Sequence, residues 1–82
     1  MERPDDEALI RSAQAGDRAA LDQLLRRHHA SIWSVCRRIA GNDADAADAT
    51  QEALIAITRG LHRYDFRARF STWAYRVATN AC

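Results

Sequence analysis

The sequence predicts an all-α fold, a compact bundle of three to four helices, and three observations carry that prediction. Glycine occurs only at positions 16, 41 and 60 and proline only at position 4, so the chain has few places to turn. Between those breaks, apolar residues recur at three- and four-residue spacing rather than in alternation. The intervening stretches are long and rich in alanine. A chain of 82 residues forms one domain with a small core. It stops at Asn80-Ala81-Cys82 inside a helical pattern, without a glycine, proline or cap, and this predicts a fragment of a longer protein.

The elements follow in order. A first helix is predicted over residues 6–15, opened by acids suited to a helix N-terminus and closed by Gly16. Asp17 is placed to cap a second helix. In that helix Leu21, Leu25, His28, Ile32, Val35 and Ile39 follow four-three spacing, widened by Leu24 and Cys36 into a core-facing stripe that ends at Gly41-Asn42. A third helix starts near Asn42 or Asp43 and carries Ala47, Thr50, Leu54, Ile57 and Leu61 on one face. Asp45, Asp48 and Glu52 fall almost opposite that stripe, with Gln51 between them and the core side. After a loop over residues 62–70, Ser71 can cap a fourth helix that buries Trp73, Ala74, Val77, Ala78 and Ala81.

Composition narrows the function. The even spread of hydrophobic residues, 48% of the chain, excludes a disordered tail, and no run is long enough for a membrane span. The start, Met1 to Glu7, is acidic where a signal peptide would be basic and then apolar, so a cytoplasmic protein is expected. Two cysteines, Cys36 and Cys82, are too few for a disulfide framework and read as free thiols. The net charge of +1 hides an asymmetry. Residues 1–58 hold seven arginines and ten acids, a balance of −3, while residues 59–82 hold five arginines and one acid, a balance of +4. Every cation is an arginine, a planar group able to grip phosphate bidentately or lie on a base.

Residues 64–80, "YDFRARFSTWAYRVATN", hold five of the six aromatic residues. Phe70 and Trp73 read as core. Phe66, Arg67, Arg69, Thr72, Tyr75, Arg76, Thr79 and Asn80 do not, and 72, 75, 76 and 79 share the face opposite the buried stripe. Such rings and guanidiniums suit unpaired bases, although a solvated rim around a core edge has the same composition. The acidic stripe is likewise either the wet side of an amphipathic helix or a docking face for a basic partner helix. His28, His29 and His62 with Cys36 have poor ligand spacing, since His28 and His29 point about 100° apart on a helix. No metal, cofactor or enzymatic site is expected, because the carboxylates share a convex face and no nucleophile and base are paired.

"DADAADATQEALIAITRGLHRYD" followed by "FSTWAYRVATNAC" resembles the second conserved domain of bacterial sigma factors of the extracytoplasmic-function (ECF) group. The resemblance extends back through "AQAGDRAALDQLLRRHHASIWSVCRRIAGN", so it covers the chain from about Asp6. It implies the helical bundle of a sigma domain two, one domain over residues 1–82, without the C-terminal helix-turn-helix domain that binds the minus-thirty-five element. It further implies docking on the coiled coil of the RNA polymerase beta-prime subunit through Asp48, Gln51 and Glu52, to which the acidic stripe read as a docking face adds Asp45. It implies capture of the single-stranded non-template minus-ten promoter element through Arg63, Tyr64, Phe66, Arg67, Arg69, Ser71, Thr72, Trp73, Tyr75, Arg76, Thr79 and Asn80. A rival reading makes the chain chiefly a module sequestered by an anti-sigma factor. Two positions depart from the family pattern. Phe66 stands where the loop commonly has glycine, and Ala74 stands where primary sigma factors carry a second tryptophan beside the residue matched by Trp73.

Overall fold

The computed structural model describes residues 4–81, and within them every regular element is helical. Four α-helices follow one another: α1 (Pro4–Gln14), α2 (Arg18–Ala40), α3 (Asp43–Gly60) and α4 (Phe70–Ala81), with a single 3₁₀ turn (Leu61–Arg63) after α3. At a rise of about 1.5 Å per residue, the 23 residues of α2 give the molecule its long axis, and the overall extents are 35 × 23 × 19 Å. Helices α1, α3 and α4 all pack on α2, and α4 also packs on α3. No helix among the described residues is long and apolar enough to cross a membrane. Cys82 and residues 1–3 of the acidic start lie outside the described residues.

Local chemistry accounts for the breaks. The α1 end is closed by bonds from the Gly16 amide to the Ala13 carbonyl and from the Asp17 amide to the Ser12 carbonyl, with Gly16 at φ 105°. The Asp17 carboxylate then accepts from the Ala19 and Ala20 amides, which caps α2. Gly41 at φ 85° ends α2 and donates to the Arg37 carbonyl, and the Asn42 side chain caps α3 by accepting from the Asp45 amide. Arg37 Nε lies 2.7 Å from Asp43 Oδ1 across that turn, an exposed pair worth under about 1 kcal/mol. A more buried pair ties α1 to α2: Asp6, almost inaccessible, accepts from Arg27 Nη1 at 2.7 Å and lies 3.3 Å from His28 Nε2.

Periodicity placed much of the core, but Leu21, Leu25, His28, Trp73, Val77 and Ala81, expected within it, are only half-buried, and further details differ. Leu24, Ile32, Val35 and Cys36 of α2 are buried as expected, but Ile39 is 50% exposed. It shares the face of Ile32 and Val35 and lies in the last turn of α2, where the fold leaves it half uncovered. In α3 the buried line runs through Ala46, Thr50, Ala53 and Ile57 and on to Leu61, so Ala47 is exposed and Leu54 only half-buried. Alanine is the small residue that lets two helices approach closely, so the tightest seam selects Ala46 and Ala53 over the larger Leu54. Ser71, expected to stand just before α4, lies inside it: the helix begins at Phe70, whose ring is buried, and its first-turn bond runs from the Trp73 amide to the Arg69 carbonyl.

Thr50 presents the one buried side-chain oxygen without a hydrogen-bond partner among the described residues. An unmet buried hydroxyl costs about 1–3 kcal/mol, whereas a methyl of the same shape costs nothing comparable. Thr50→Val is therefore expected to raise stability by roughly 1 kcal/mol, read as a higher urea midpoint at unchanged slope. A lower midpoint would show that the hydroxyl has a partner in solution.

Candidate nucleic-acid interface

The loop 64–69 and helix α4 are organised around buried rings. Tyr64 is 7% exposed and sits at the centre, 4.9 Å from the Phe66 ring, 5.7 Å from Phe70 and 5.3 Å from Trp73. Its hydroxyl donates to the Ala68 carbonyl, which closes the loop on itself. Phe70 and Trp73 stand 5.6 Å apart, and His28 of α2 meets Phe70 edge-on at 4.9 Å. Gly60 belongs to the same assembly. A Cβ at that position would approach Trp73 Cζ2 to 3.2 Å, so the absence of a side chain lets α3 end against the indole.

Phe66 adopts φ 65°, the left-handed region that a glycine would occupy without strain. For a phenylalanine this costs on the order of 1 kcal/mol, offset by its ring contacts. One face of the ring meets the Arg11 guanidinium of α1 at 4.4 Å. The Asp65 carboxylate accepts from the Arg67 amide at 3.1 Å and also lies 3.2 Å from Arg67 Nε, which makes a tight turn around Phe66.

Beyond this base, α4 presents a polar face. Ser71, Thr72, Tyr75, Arg76, Thr79 and Asn80 are exposed, as are Arg63, Arg67 and Arg69 of the approach to it. Tyr75 is the large ring left open, 52% exposed. Tyr75 and Arg76 border two hollows. The larger, about 470 Å³, runs between α4 and α2, with an apolar floor of Ile32, Val35 and Ala74 and a rim that includes Ser31 and Thr72. The smaller, about 250 Å³, is completed by Thr79 and Asn80. An aromatic ring and a guanidinium beside apolar hollows can stack a base and neutralise a phosphate at one place.

Of the residues named from sequence, the exposed ones of α4 therefore come together on one surface. Tyr64 and Trp73 lie beneath it, buried and half-buried, where their rings support the loop. Sequence reasoning missed Ser31, because nothing in the α2 repeat tells which of its polar positions faces α4. It also missed Gln14, whose amide nitrogen donates to the Leu61 carbonyl at 3.0 Å and the Tyr64 carbonyl at 2.9 Å. A contact spanning about fifty positions leaves no local trace in a sequence.

On α3, Asp45, Asp48, Gln51 and Glu52 are all exposed along one side. Asp45 is engaged locally, accepting from the Asn42 side-chain amide at 2.9 Å. Ile55, 50% exposed, shares the face of Asp48, Gln51 and Glu52 and was also missed. Acids around an open isoleucine form a surface that a basic amphipathic helix can match. Among the described residues no three His, Cys, Asp or Glu side chains converge in a way that could hold a metal ion.

Comparison with known proteins defines the class. Residues 24–82 match the family model described as sigma-70 region 2, and the chain belongs to that family. Within it, several of the relatives are named ECF sigma factors. The chain is 41% identical over 81 residues to the ECF RNA polymerase sigma factor SigM of Mycobacterium tuberculosis, an alignment covering 99% of this chain and 41% of that protein. It is 35% identical over 71 residues to the ECF RNA polymerase sigma factor SigW of Bacillus subtilis, covering 87% of this chain and 38% of that one. The chain thus spans about two-fifths of the length of these curated relatives. A solved structure of an engineered region 2 of sigmaE in complex with GTAAAA superposes with a TM-score of 0.86 at 36% identity, covering 93% of this chain and 79% of that one.

Proposed function

We propose that this chain is the domain of an ECF sigma factor that recognises and melts the minus-ten promoter element by capturing unpaired non-template bases on α4 and the 64–69 loop. The observation that carries the reading is the open Tyr75 ring, set beside Arg76 between two hollows and continuous with Thr72, Thr79 and Asn80. The related region 2 bound to GTAAAA supports it. Opening a duplex costs unstacking energy, and a surface that returns that energy only for the right extruded base thereby selects sequence. Arg63, Arg67, Arg69 and Arg76 add affinity for the strand that weakens with salt. The second part of the proposal assigns Asp48, Gln51, Glu52 and Ile55, with Asp45 at the edge, to the coiled coil of the beta-prime subunit of RNA polymerase. Both encounters take place in the cytoplasm. An anti-sigma factor is a further partner class, acting by covering these same faces.

The test is selection from a pool of labelled single-stranded oligonucleotides with a randomised six-base core, followed by titration of the winner and its scramble at low and moderate salt. Enrichment of a sequence with a salt slope is expected. Uniform binding of all cores would leave only a basic surface and overturn base capture. Arg76→Ala or Asn80→Ala is expected to weaken binding to the selected strand by about ten-fold, the scale of a lost charged or bidentate contact, while sparing polymerase binding. Unchanged DNA affinity in either variant would remove that residue from the interface.

A further inference from the structure

The end of α1 lies outside the segment matched by the sigma-70 region 2 model, which begins at residue 24, yet it holds the 64–69 loop at two points. Gln14 uses its side-chain nitrogen to bond two main-chain carbonyls in succession, those of Leu61 and Tyr64, where the 3₁₀ turn passes into the loop. The Leu61 carbonyl already accepts from the Tyr64 amide across the 3₁₀ turn, and Gln14 adds a second donor to it while also reaching the Tyr64 carbonyl, so one side chain ties the turn to the start of the loop. One turn earlier Arg11 lies over Phe66 while its Nε donates to Glu7 Oε2 at 3.2 Å, which steadies the guanidinium above the ring.

We infer that Gln14 and Arg11 are positioning residues for base recognition: the last turn of α1 sets the conformation of the 64–69 loop and thereby its sequence discrimination. The inference rests on the proposed role of that loop in capturing bases. Its physical basis is preorganisation. Ordering a flexible loop costs roughly 1–2 kcal/mol per residue, and a loop ordered before the strand arrives does not charge that cost against binding. Phe66 sharpens the requirement. A glycine needs no help at φ 65°, whereas phenylalanine holds that backbone only while its ring is retained, between Tyr64 and Arg11. Arg11 therefore does for this chain what a glycine would do by itself. Neither Gln14 nor Arg11 needs to touch DNA to act in this way.

The experiment uses the 82-residue chain and two readouts. Gln14→Ala is expected to lower the ratio of affinities for the selected strand and its scramble by roughly five- to ten-fold, the equivalent of one or two neutral hydrogen bonds, with the salt slope unchanged because no phosphate contact is lost. The same variant is expected to speed hydrogen exchange at the Tyr64 and Arg67 amides, which are bonded inside the loop, and to leave exchange in the α2 core unchanged. An unchanged affinity ratio together with unchanged loop exchange would overturn the inference while leaving base capture standing. Absence of sequence preference in the wild-type chain, even with faster loop exchange in Gln14→Ala, would overturn base capture and, with it, this role of α1. Arg11→Met supplies the second arm. It is expected to lower the ratio about three-fold in the wild-type background and to be silent beside Phe66→Gly, since the ring it holds is then gone. Equal effects in both backgrounds would show that Arg11 acts through its charge alone.

Discussion

Phe70→Ala is expected to cost about 3–5 kcal/mol of stability, enough to leave a domain of this size partly unfolded near 37 °C. Its ring is 2% exposed and touches α2 through His28, the loop through Tyr64 and its own helix through Trp73. Removing it leaves a cavity among rigid rings, which collapse poorly into empty space, so the cost belongs at the upper end of large-to-small substitutions. A domain of 82 residues holds only about 4–12 kcal/mol in total, so one ring accounts for a large share. Urea denaturation followed by tryptophan fluorescence measures the effect. Tyr75→Ala, on the exposed side of the same helix, serves as the comparison and is expected to change stability by under about 0.5 kcal/mol. Similar losses in the two variants would mean that α4 has no distinct inner and outer faces.

The second large effect concerns binding. The double reversal Asp48→Arg with Glu52→Arg is expected to reduce affinity for RNA polymerase core by two orders of magnitude or more, since each reversal replaces an attraction with a like-charge clash of up to several kcal/mol. Both side chains are exposed on α3, so the fold is expected to tolerate the change. Binding of the selected DNA strand is expected to remain the same or to rise slightly from the added positive charge. Polymerase pull-down beside an oligonucleotide titration reads both quantities. Equal loss of polymerase and DNA binding would sink the separation into an α3 docking face and an α4 nucleic-acid face. Retained polymerase binding would remove the acids from the interface.

Much of this protein was legible without coordinates because its cues are local. Glycines at 16 and 41, capping residues at 17 and 42 and the spacing of apolar residues act within one or two helical turns, and each marked its break within a residue or two. The exposed acids of α3 and the exposed polar face of α4 followed from the same periodicity, since a helix turns its residues by a constant angle. Such reasoning locates a face and cannot say what covers it. Ile39 and Leu54 show the limit: both lie on faces that periodicity assigned to the core, yet the first is half exposed and the second only half-buried, because burial depends on whether a neighbouring element reaches that turn.

How distant segments meet is settled by packing. An arginine-only cation set, a charge split along the chain, four helices and the resemblance that named the loop and α4 as a unit are all readable in the residues alone. It also showed a phenylalanine at a position where glycine is common, without showing how the chain tolerates it. Only the packing of α1 against the loop answers that, through Arg11 over the Phe66 ring and Gln14 on two carbonyls about fifty positions away. The same holds for Tyr64, which the resemblance grouped with the DNA-contacting residues and packing placed 7% exposed beneath the surface they form. The physical reason is common to these cases. Helix formation is governed by interactions a few residues apart, whereas side-chain placement between elements depends on which surfaces exclude water together, and that is a property of the assembled chain.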